Sequence, residues 1–118
     1  MIVGHGSRAG GFASAMVRVA RALRRGRFFW QVGCAYLEIA RPSIPEAVES
    51  YVKRGAGRID VLPYFLQKGR HVQGDIPSIV KELRRKYRAK VRIVLCPYLG
   101  FDPRIVAVVK ERLGQRGG

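Results

Sequence analysis

Cysteine and histidine are scarce in this sequence, with two residues of each among 118. Cys34 and Cys96 are far apart, so the chain has no CxxC metal or redox motif. Each cysteine lies in an apolar run, which predicts two buried free thiols in a reducing compartment. Any imidazole chemistry must therefore use His5 and His71.

Long apolar runs are also lacking. No stretch approaches the roughly 20 apolar residues that span a bilayer. The amino terminus does not show a basic region, an apolar core and a cleavage site, which together mark a signal peptide. We therefore expect a cytoplasmic protein with no membrane partner, and its length predicts a single domain over residues 1–118.

Acidic residues are few, eight against 23 lysines and arginines, which gives a formal net charge of +15. A field of this sign attracts nucleic acids, membrane surfaces and polycarboxylate small molecules alike. The chain shows no known nucleic-acid module, and its basic residues are spread over the outer faces of predicted helices. The aromatic residues Phe28, Phe29 and Trp30 lie in or beside a predicted buried strand, where they would stack poorly on bases, so no nucleic-acid partner is expected.

Short apolar runs alternate with amphipathic stretches along the whole chain. Strands are predicted at residues 2–3, 28–37, 59–66 and 91–96. Four helices are predicted between and after these strands. The first has an apolar stripe from Phe12 to Leu23, the second is capped by Ser43, and the third starts at residues 75–77. The fourth is capped by Asp102, and its predicted buried stripe consists of Ile105, Val106, Val109 and Leu113. This alternation predicts an α/β fold in which a parallel sheet, of favoured strand order 2-1-3-4, carries helices on both faces.

Three chemically capable residues follow three predicted strands: His5 after the first, Glu38 after the second and His71 after the third. The carboxyl ends of parallel strands meet at one edge of a sheet, where open α/β sheets bind ligands. Neutral imidazoles bind borderline divalent ions such as Co²⁺, Ni²⁺, Fe²⁺ and Zn²⁺, and a neighbouring carboxylate adds affinity. With an ordinary pKa of about 6.5, an imidazole also accepts protons at cellular pH.

Other interpretations of the same residues stay open at this point. A single histidine in a loop is more often a hydrogen-bonded surface residue, and Glu38 could pair with Arg41 or lie at a helix start. The glycines at positions 4, 6, 10 and 11 could form a phosphate loop at a helix amino end, although neither GxxxxGK[ST] nor GxGxxG occurs. The alternative to an enzyme is a non-catalytic binding module, either a metal carrier that uses the same histidines or a basic nucleic-acid-binding module.

Three ordered blocks of the sequence resemble one known family, the small CbiX-type chelatases, which insert a divalent metal into the tetrapyrrole sirohydrochlorin. The blocks are GHGSR at residues 4–8, AYLE at 35–38 with RPSI at 41–44, and LPYFL at 62–66 with Gly69, His71 and DIP at 75–77. They extend over nearly the whole chain. One difference is the first strand. Family members usually have a longer strand before the GHGSR block, whereas this chain has only Met1 to Val3 there.

The resemblance implies a flavodoxin-like chelatase fold with four parallel strands. It implies that His5 and His71 are the catalytic residues, binding metal and accepting protons, and that Glu38 is an accessory acidic metal ligand. Short family members are similar to one half of the two-domain chelatases, which implies a homodimer. The expected metal is Co²⁺, with Ni²⁺ or Fe²⁺ as alternatives, and no cofactor is expected beyond this substrate ion.

The implied substrate also fits the charge. Sirohydrochlorin is a flat macrocycle fringed with acetate and propionate carboxylates, which a basic rim would attract. The nearest candidates to bind these carboxylates are Ser7, Arg8, Lys68 and Arg70. Insertion requires two pyrrole protons to leave as the metal enters, which the two histidines could accept.

Overall fold

The computed structural model describes residues 1–6, 10–26 and 29–114, with side chains in the first helix described from residue 15 onward. Three residues named above, Ser7, Arg8 and Phe28, lie outside the described residues, and so does the side chain of Phe12. In chain order the elements are β1 (Ile2–Gly4), α1 (Gly10–Arg25), β2 (Cys34–Tyr36), α2 (Ile44–Lys53), β3 (Arg58–Pro63), a π-helical turn (His71–Asp75), α3 (Ile76–Lys86), β4 (Arg92–Leu95) and α4 (Pro103–Arg112).

The four strands form one parallel sheet in the order β2-β1-β3-β4. This is the order predicted from the sequence. β1 is central although it is short: Ile2 lies opposite Cys34 on one side and Leu62 on the other. Its neighbours β2 and β3 therefore end beside it, and the residues that follow all three strands meet at the same edge of the sheet.

Alternate residues of the strands point to opposite faces of the sheet, and each face has its own core. On one face, Val3 and Val61 are fully buried and pack in a cluster that includes Val48 of α2 and Val80 of α3. On the other face, Ile2 and Tyr36 pack with residues of α1 in a second, smaller cluster that includes Met16 and Ala20. The predicted placement of helices on both faces is thus confirmed.

The second strand is much shorter than predicted. Its pairing covers only Cys34–Tyr36, because the neighbouring β1 offers only three residues to pair with. Upstream of the pairing, Phe29 is 45% exposed and Trp30 is 67% exposed. The prediction that these two aromatic side chains lie in a buried strand is therefore wrong.

The last helix is also not buried as predicted. Asp102 does cap α4, since its Oδ1 accepts the backbone N–H of Arg104 at 2.9 Å. However, the expected buried stripe is exposed: Val109 is 49% exposed and Leu113 is 68% exposed. Within α4, only Ile105 is half-buried. The apolar spacing correctly predicts that this helix has one apolar face. It does not identify a surface that packs against this face.

Smaller differences concern ends and burial. β3 ends at Pro63, three residues before the predicted end, because β1 offers no partner further along. Cys34 and Cys96 are free thiols as predicted, but they are half-buried rather than buried.

The cap of α2 is confirmed: Ser43 Oγ accepts the N–H of Glu46 at 3.3 Å, and Glu46 accepts the N–H of Ser43 at 2.8 Å. In the described part of the chain, no helix has the length and apolar character needed to cross a membrane.

Candidate functional site

His5 and Glu38 are brought together by the ends of β1 and β2. Past the last paired residues, the N–H of Leu37 donates to the carbonyl of Gly4 at 3.0 Å, and the N–H of Glu38 donates to the carbonyl of His5 at 2.9 Å. The two backbones thus stay side by side for two residues beyond the strands. As a result, His5 Nε2 lies 3.5 Å from Glu38 Oε2.

This approach depends on two unusual backbone positions. Gly6 has φ of 105°, and a Cβ at this position would lie only 1.8 Å from the carbonyl oxygen of Glu38. Ile39 has φ of 66°, and the flanking carbonyl of Glu38 accepts the N–H of Ala40 at 2.6 Å, as in a γ-turn. A positive φ is strained for a β-branched residue, and such strain is common where a loop positions functional groups.

His71 occupies the first position of the π-helical turn that follows β3. Its Nδ1 lies 2.6 Å from Asp75 Oδ2, one turn further along. A carboxylate only accepts hydrogen bonds, so in the neutral form of the ring Nδ1 carries the proton and Nε2 has a lone pair for another partner. A carboxylate that orients an imidazole in this way is a common support for a metal-binding histidine.

The two histidines are neighbours. Their ring centroids are 4.7 Å apart and the rings are tilted by 46°. The His5 side chain is 39% exposed and that of His71 is 32% exposed, so solutes can reach both rings. The structure therefore brings together the three residues singled out by the sequence, His5, Glu38 and His71, at the carboxyl edge of the sheet.

These residues do not form a closed metal cage. Among the described residues, no group of three or more His, Cys, Asp or Glu side chains is arranged to hold a metal ion. The thiols do not extend the set, because burial raises the pKa of both Cys34 and Cys96 and so favours their weakly binding protonated forms. The arrangement is an open pair of imidazoles with a carboxylate beside each.

Asp75 is the residue of this site that the sequence analysis misses. We predicted that it starts the third helix, but α3 begins at Ile76, and the Asp75 side chain makes no cap hydrogen bond. The signal that could have identified it is the spacing of four between His71 and Asp75, which places the two side chains on one face of a helical turn.

The other candidates fall at the periphery. Arg41 pairs with Glu46 rather than with Glu38, which leaves the Glu38 carboxylate facing His5. Lys68 and Arg70 are exposed in the segment that leads into His71. Ser7 and Arg8 immediately follow Gly6, outside the described residues.

Several proteins are similar to this chain in sequence or in fold. The chain is 35% identical over 112 residues to the sirohydrochlorin cobaltochelatase of Sulfolobus acidocaldarius, a match that covers 95% of this chain and 86% of that protein. Among solved structures it resembles the sirohydrochlorin chelatase SirB from Bacillus subtilis subspecies spizizenii in complex with cobalt. That match has a TM-score of 0.86 at 27% identity. SirB from Bacillus subtilis with Fe³⁺ matches at a TM-score of 0.84 and 28% identity.

The SirB matches differ from this chain in length. The cobalt complex matches 98% of this chain but only 49% of SirB, and the Fe³⁺ structure matches 99% and 46%. This chain therefore spans about half the length of SirB. A family model described as CbiX matches residues 1–116. On the strength of this match and the 35% identical relative, the chain belongs to the CbiX family.

Proposed function

We propose that this protein inserts a divalent metal ion into sirohydrochlorin, with Co²⁺ as its metal. The observation that carries the proposal is the pair of neighbouring imidazoles, 4.7 Å apart, at the edge of the sheet where three strands end. The relative from Sulfolobus acidocaldarius is named a sirohydrochlorin cobaltochelatase, and the SirB structures contain cobalt or Fe³⁺. The geometry and the names thus point to the same chemistry.

In this proposal His5 and His71 hold the incoming ion and accept the pyrrole protons that it displaces. Two imidazoles bind a borderline divalent ion but leave most of its coordination positions open. An open site suits an ion that must be released to the macrocycle. Since the protein's task is transfer, the absence of a closed cage among the described residues is compatible with the role.

The two carboxylates beside the histidines, Asp75 and Glu38, have different roles in this proposal. Asp75 orients the His71 ring through the contact between its Oδ2 and Nδ1 at 2.6 Å. Glu38, 3.5 Å from His5 Nε2, is an acidic ligand that attracts the cation to the pair. A carboxylate is a weaker base than an imidazole and therefore a poorer proton acceptor at neutral pH.

The substrate is proposed to bind over this edge with its carboxylates on basic side chains. Lys68 and Arg70 are exposed beside His71, and Ser7 and Arg8 follow the His5 loop. Next to the two histidine segments, Ile39 is 59% exposed and Leu66 is 60% exposed. Exposed apolar groups beside charged ones suit a flat macrocycle with a carboxylate fringe.

We further propose that the protein works as a homodimer. This chain matches about half of the SirB chain, so two copies supply the mass of one full-length chelatase. The histidine pair lies on an open edge of the sheet, and a second copy placed across this edge would enclose the site from the other side. The mass in solution at working concentration, measured by light scattering, checks this part of the proposal separately from activity.

The experiment that tests the function follows the absorbance of sirohydrochlorin after Co²⁺ is added, with and without the protein. We expect the protein to accelerate the spectral change well beyond the spontaneous rate. Parallel reactions with Ni²⁺ and Fe²⁺ give the insertion rate for each metal. We expect the rate to be highest with Co²⁺, and a higher rate with Ni²⁺ or Fe²⁺ would identify that ion as the preferred metal. No acceleration with any of them, together with DNA binding that weakens steeply with salt, would instead favour a nucleic-acid-binding protein.

A further inference from the structure

We propose that Ile39 is a specificity-determining residue of this site: its side chain contacts the flat apolar face of the bound macrocycle and so places the ring over the histidine pair. The inference rests on the proposed function, because it concerns how sirohydrochlorin binds. It gives a role to a residue that cannot bind metal or accept a proton.

The backbone of Ile39 adopts a conformation that is unfavourable for isoleucine. Its φ of 66° lies in the left-handed region, where a β-branched residue is a genuine outlier. Glycine, asparagine and aspartate adopt this region much more readily. The turn between β2 and α2 therefore does not itself require isoleucine, since other residues would form it with less strain.

Packing within the chain does not offset this strain. The Ile39 side chain is 59% exposed. Its neighbours Leu37 and Ala40 pack against the larger and the smaller core cluster respectively, whereas Ile39 is a member of neither cluster among the described residues. An apolar side chain gains free energy when it leaves water, and that of Ile39 remains largely in water. Strain that no packing offsets is typical of a residue that acts on a ligand.

The hydrogen bonds of the turn hold Ile39 close to the histidines. The N–H of Glu38 donates to the carbonyl of His5 at 2.9 Å, and the N–H of Ala40 donates to the carbonyl of Glu38 at 2.6 Å. Ile39 lies between these two bonds and directly follows the residue whose carboxylate faces His5 Nε2. A large ligand that binds over the histidine pair therefore also reaches Ile39.

Leu66 provides a second exposed apolar group at the same edge. It follows β3, and its side chain is 60% exposed. Because β2 and β3 lie on either side of β1 and neighbouring strands are about 4.8 Å apart, the strand ends before Ile39 and Leu66 are about 10 Å apart. The histidine pair follows strands at this same edge. A rigid, flat ligand that touches both apolar groups therefore lies across the histidines.

The two kinds of exposed side chain select different features of the ligand. Basic side chains such as Lys68 and Arg70 attract carboxylates on any molecule that carries them. Ile39 and Leu66 gain free energy only from a ligand that covers them with apolar surface. A carboxylate-fringed macrocycle satisfies both conditions, whereas a small or open-chain polycarboxylate satisfies only the first.

Binding of sirohydrochlorin to the metal-free protein, followed by absorbance, tests the contact without the insertion step. Ile39→Asn keeps the turn, because asparagine tolerates a positive φ, but replaces an apolar side chain by an amide. We expect its Kd to be about 10-fold higher than that of the wild type. Ile39→Leu keeps an apolar side chain and should bind more tightly than Ile39→Asn. The matched control Ala22→Asn, at an exposed position of α1, should leave the Kd unchanged.

Two further measurements separate a ligand contact from a structural role. In the insertion assay, Ile39→Asn should raise the KM for sirohydrochlorin, while kcat and the Co²⁺ concentration for half-maximal rate stay near those of the wild type. Its melting temperature should equal or exceed that of the wild type, because the substitution relieves backbone strain. A residue that only stabilised the loop would show the opposite, a lower melting temperature with an unchanged KM.

The outcomes distinguish the role of Ile39 from the proposed function. A wild-type protein that neither binds sirohydrochlorin nor accelerates insertion would overturn both. If the wild type inserts the metal, the role of Ile39 alone is overturned by any of three results: an unchanged Kd in Ile39→Asn, an equal loss of affinity in Ile39→Leu, or a lower melting temperature of Ile39→Asn. A change in the Co²⁺ dependence without a change in KM would likewise overturn it, because Ile39 would then act through Glu38.

Discussion

At the residue scale, His5 and His71 are supported differently. His71 is fixed by a short contact to Asp75 within its own helical turn, whereas His5 meets Glu38 across two strand ends at 3.5 Å. The longer contact leaves Glu38 freer to turn toward an incoming ion. These contacts support the proposal that Asp75 orients an imidazole and that Glu38 captures the metal.

The first prediction separates Glu38 from the histidines. Glu38→Gln removes a charge near the ion but leaves both imidazoles, so it should raise the metal concentration needed for half-maximal rate while the maximal rate stays near that of the wild type. The insertion rate measured against Co²⁺ concentration checks this. A variant that is inactive at every concentration would show that Glu38 does more than capture metal.

Asp75 should act through His71 rather than on the substrate. Asp75→Asn should lower metal affinity or the insertion rate by about 10- to 100-fold, the usual cost of losing a carboxylate that orients a metal-binding histidine. Asp75→Glu keeps a carboxylate and should retain more activity than Asp75→Asn. Equal losses in the two variants would indicate a purely structural role for this side chain.

At the scale of single elements, the start of α2 gives a prediction about pH. The hydrogen bond from Arg41, with that from the backbone of Ser43, lowers the pKa of Glu46 from 4.5 to about 2. Because the folded pKa lies below the unfolded one, Glu46 stabilises the fold at neutral pH. This stabilisation is lost as the pH falls from about 4.5 toward 2.

The measurement is the melting temperature of wild type and Glu46→Gln across this pH range. The wild type should be the more stable protein at pH 7, and the difference should shrink as the pH approaches 2. The pair is exposed, so we expect a small effect. A difference that stays constant with pH would mean that the carboxylate charge contributes nothing at this helix start.

The elements also show what could and could not be predicted from the sequence. The alternation of strands and helices predicted a parallel sheet, and the favoured strand order 2-1-3-4, which is the observed one, placed the residues after the first three strands at one edge. The extent of β2 could not be predicted from its own apolar residues, because β2 pairs only with β1 and β1 has three residues. The exposure of α4 could not be predicted either, because its apolar spacing is the same whether or not another element of the chain packs against it.

At the scale of the whole molecule, the net charge of +15 should act on substrate binding. Salt shortens the range of the attraction, from a Debye length of about 10 Å at 0.1 M to about 3 Å at 1 M. We expect the KM for sirohydrochlorin to rise with ionic strength and kcat to change little. Steady-state rates over a salt series check this prediction, and a KM that does not change with salt would contradict it.

The central claim is that the neighbouring histidines carry metal insertion. It is tested most directly by the rate of Co²⁺ insertion into sirohydrochlorin by wild type, His5→Ala and His71→Ala at saturating metal. Each substitution should lower the catalysed rate by about 10²-fold or more, as expected for a lost acid-base group, and excess Co²⁺ should not restore it. Circular dichroism and light scattering confirm that each variant keeps its fold and mass. If His71→Ala, folded and with unchanged mass, inserts cobalt at the wild-type rate, the account is contradicted.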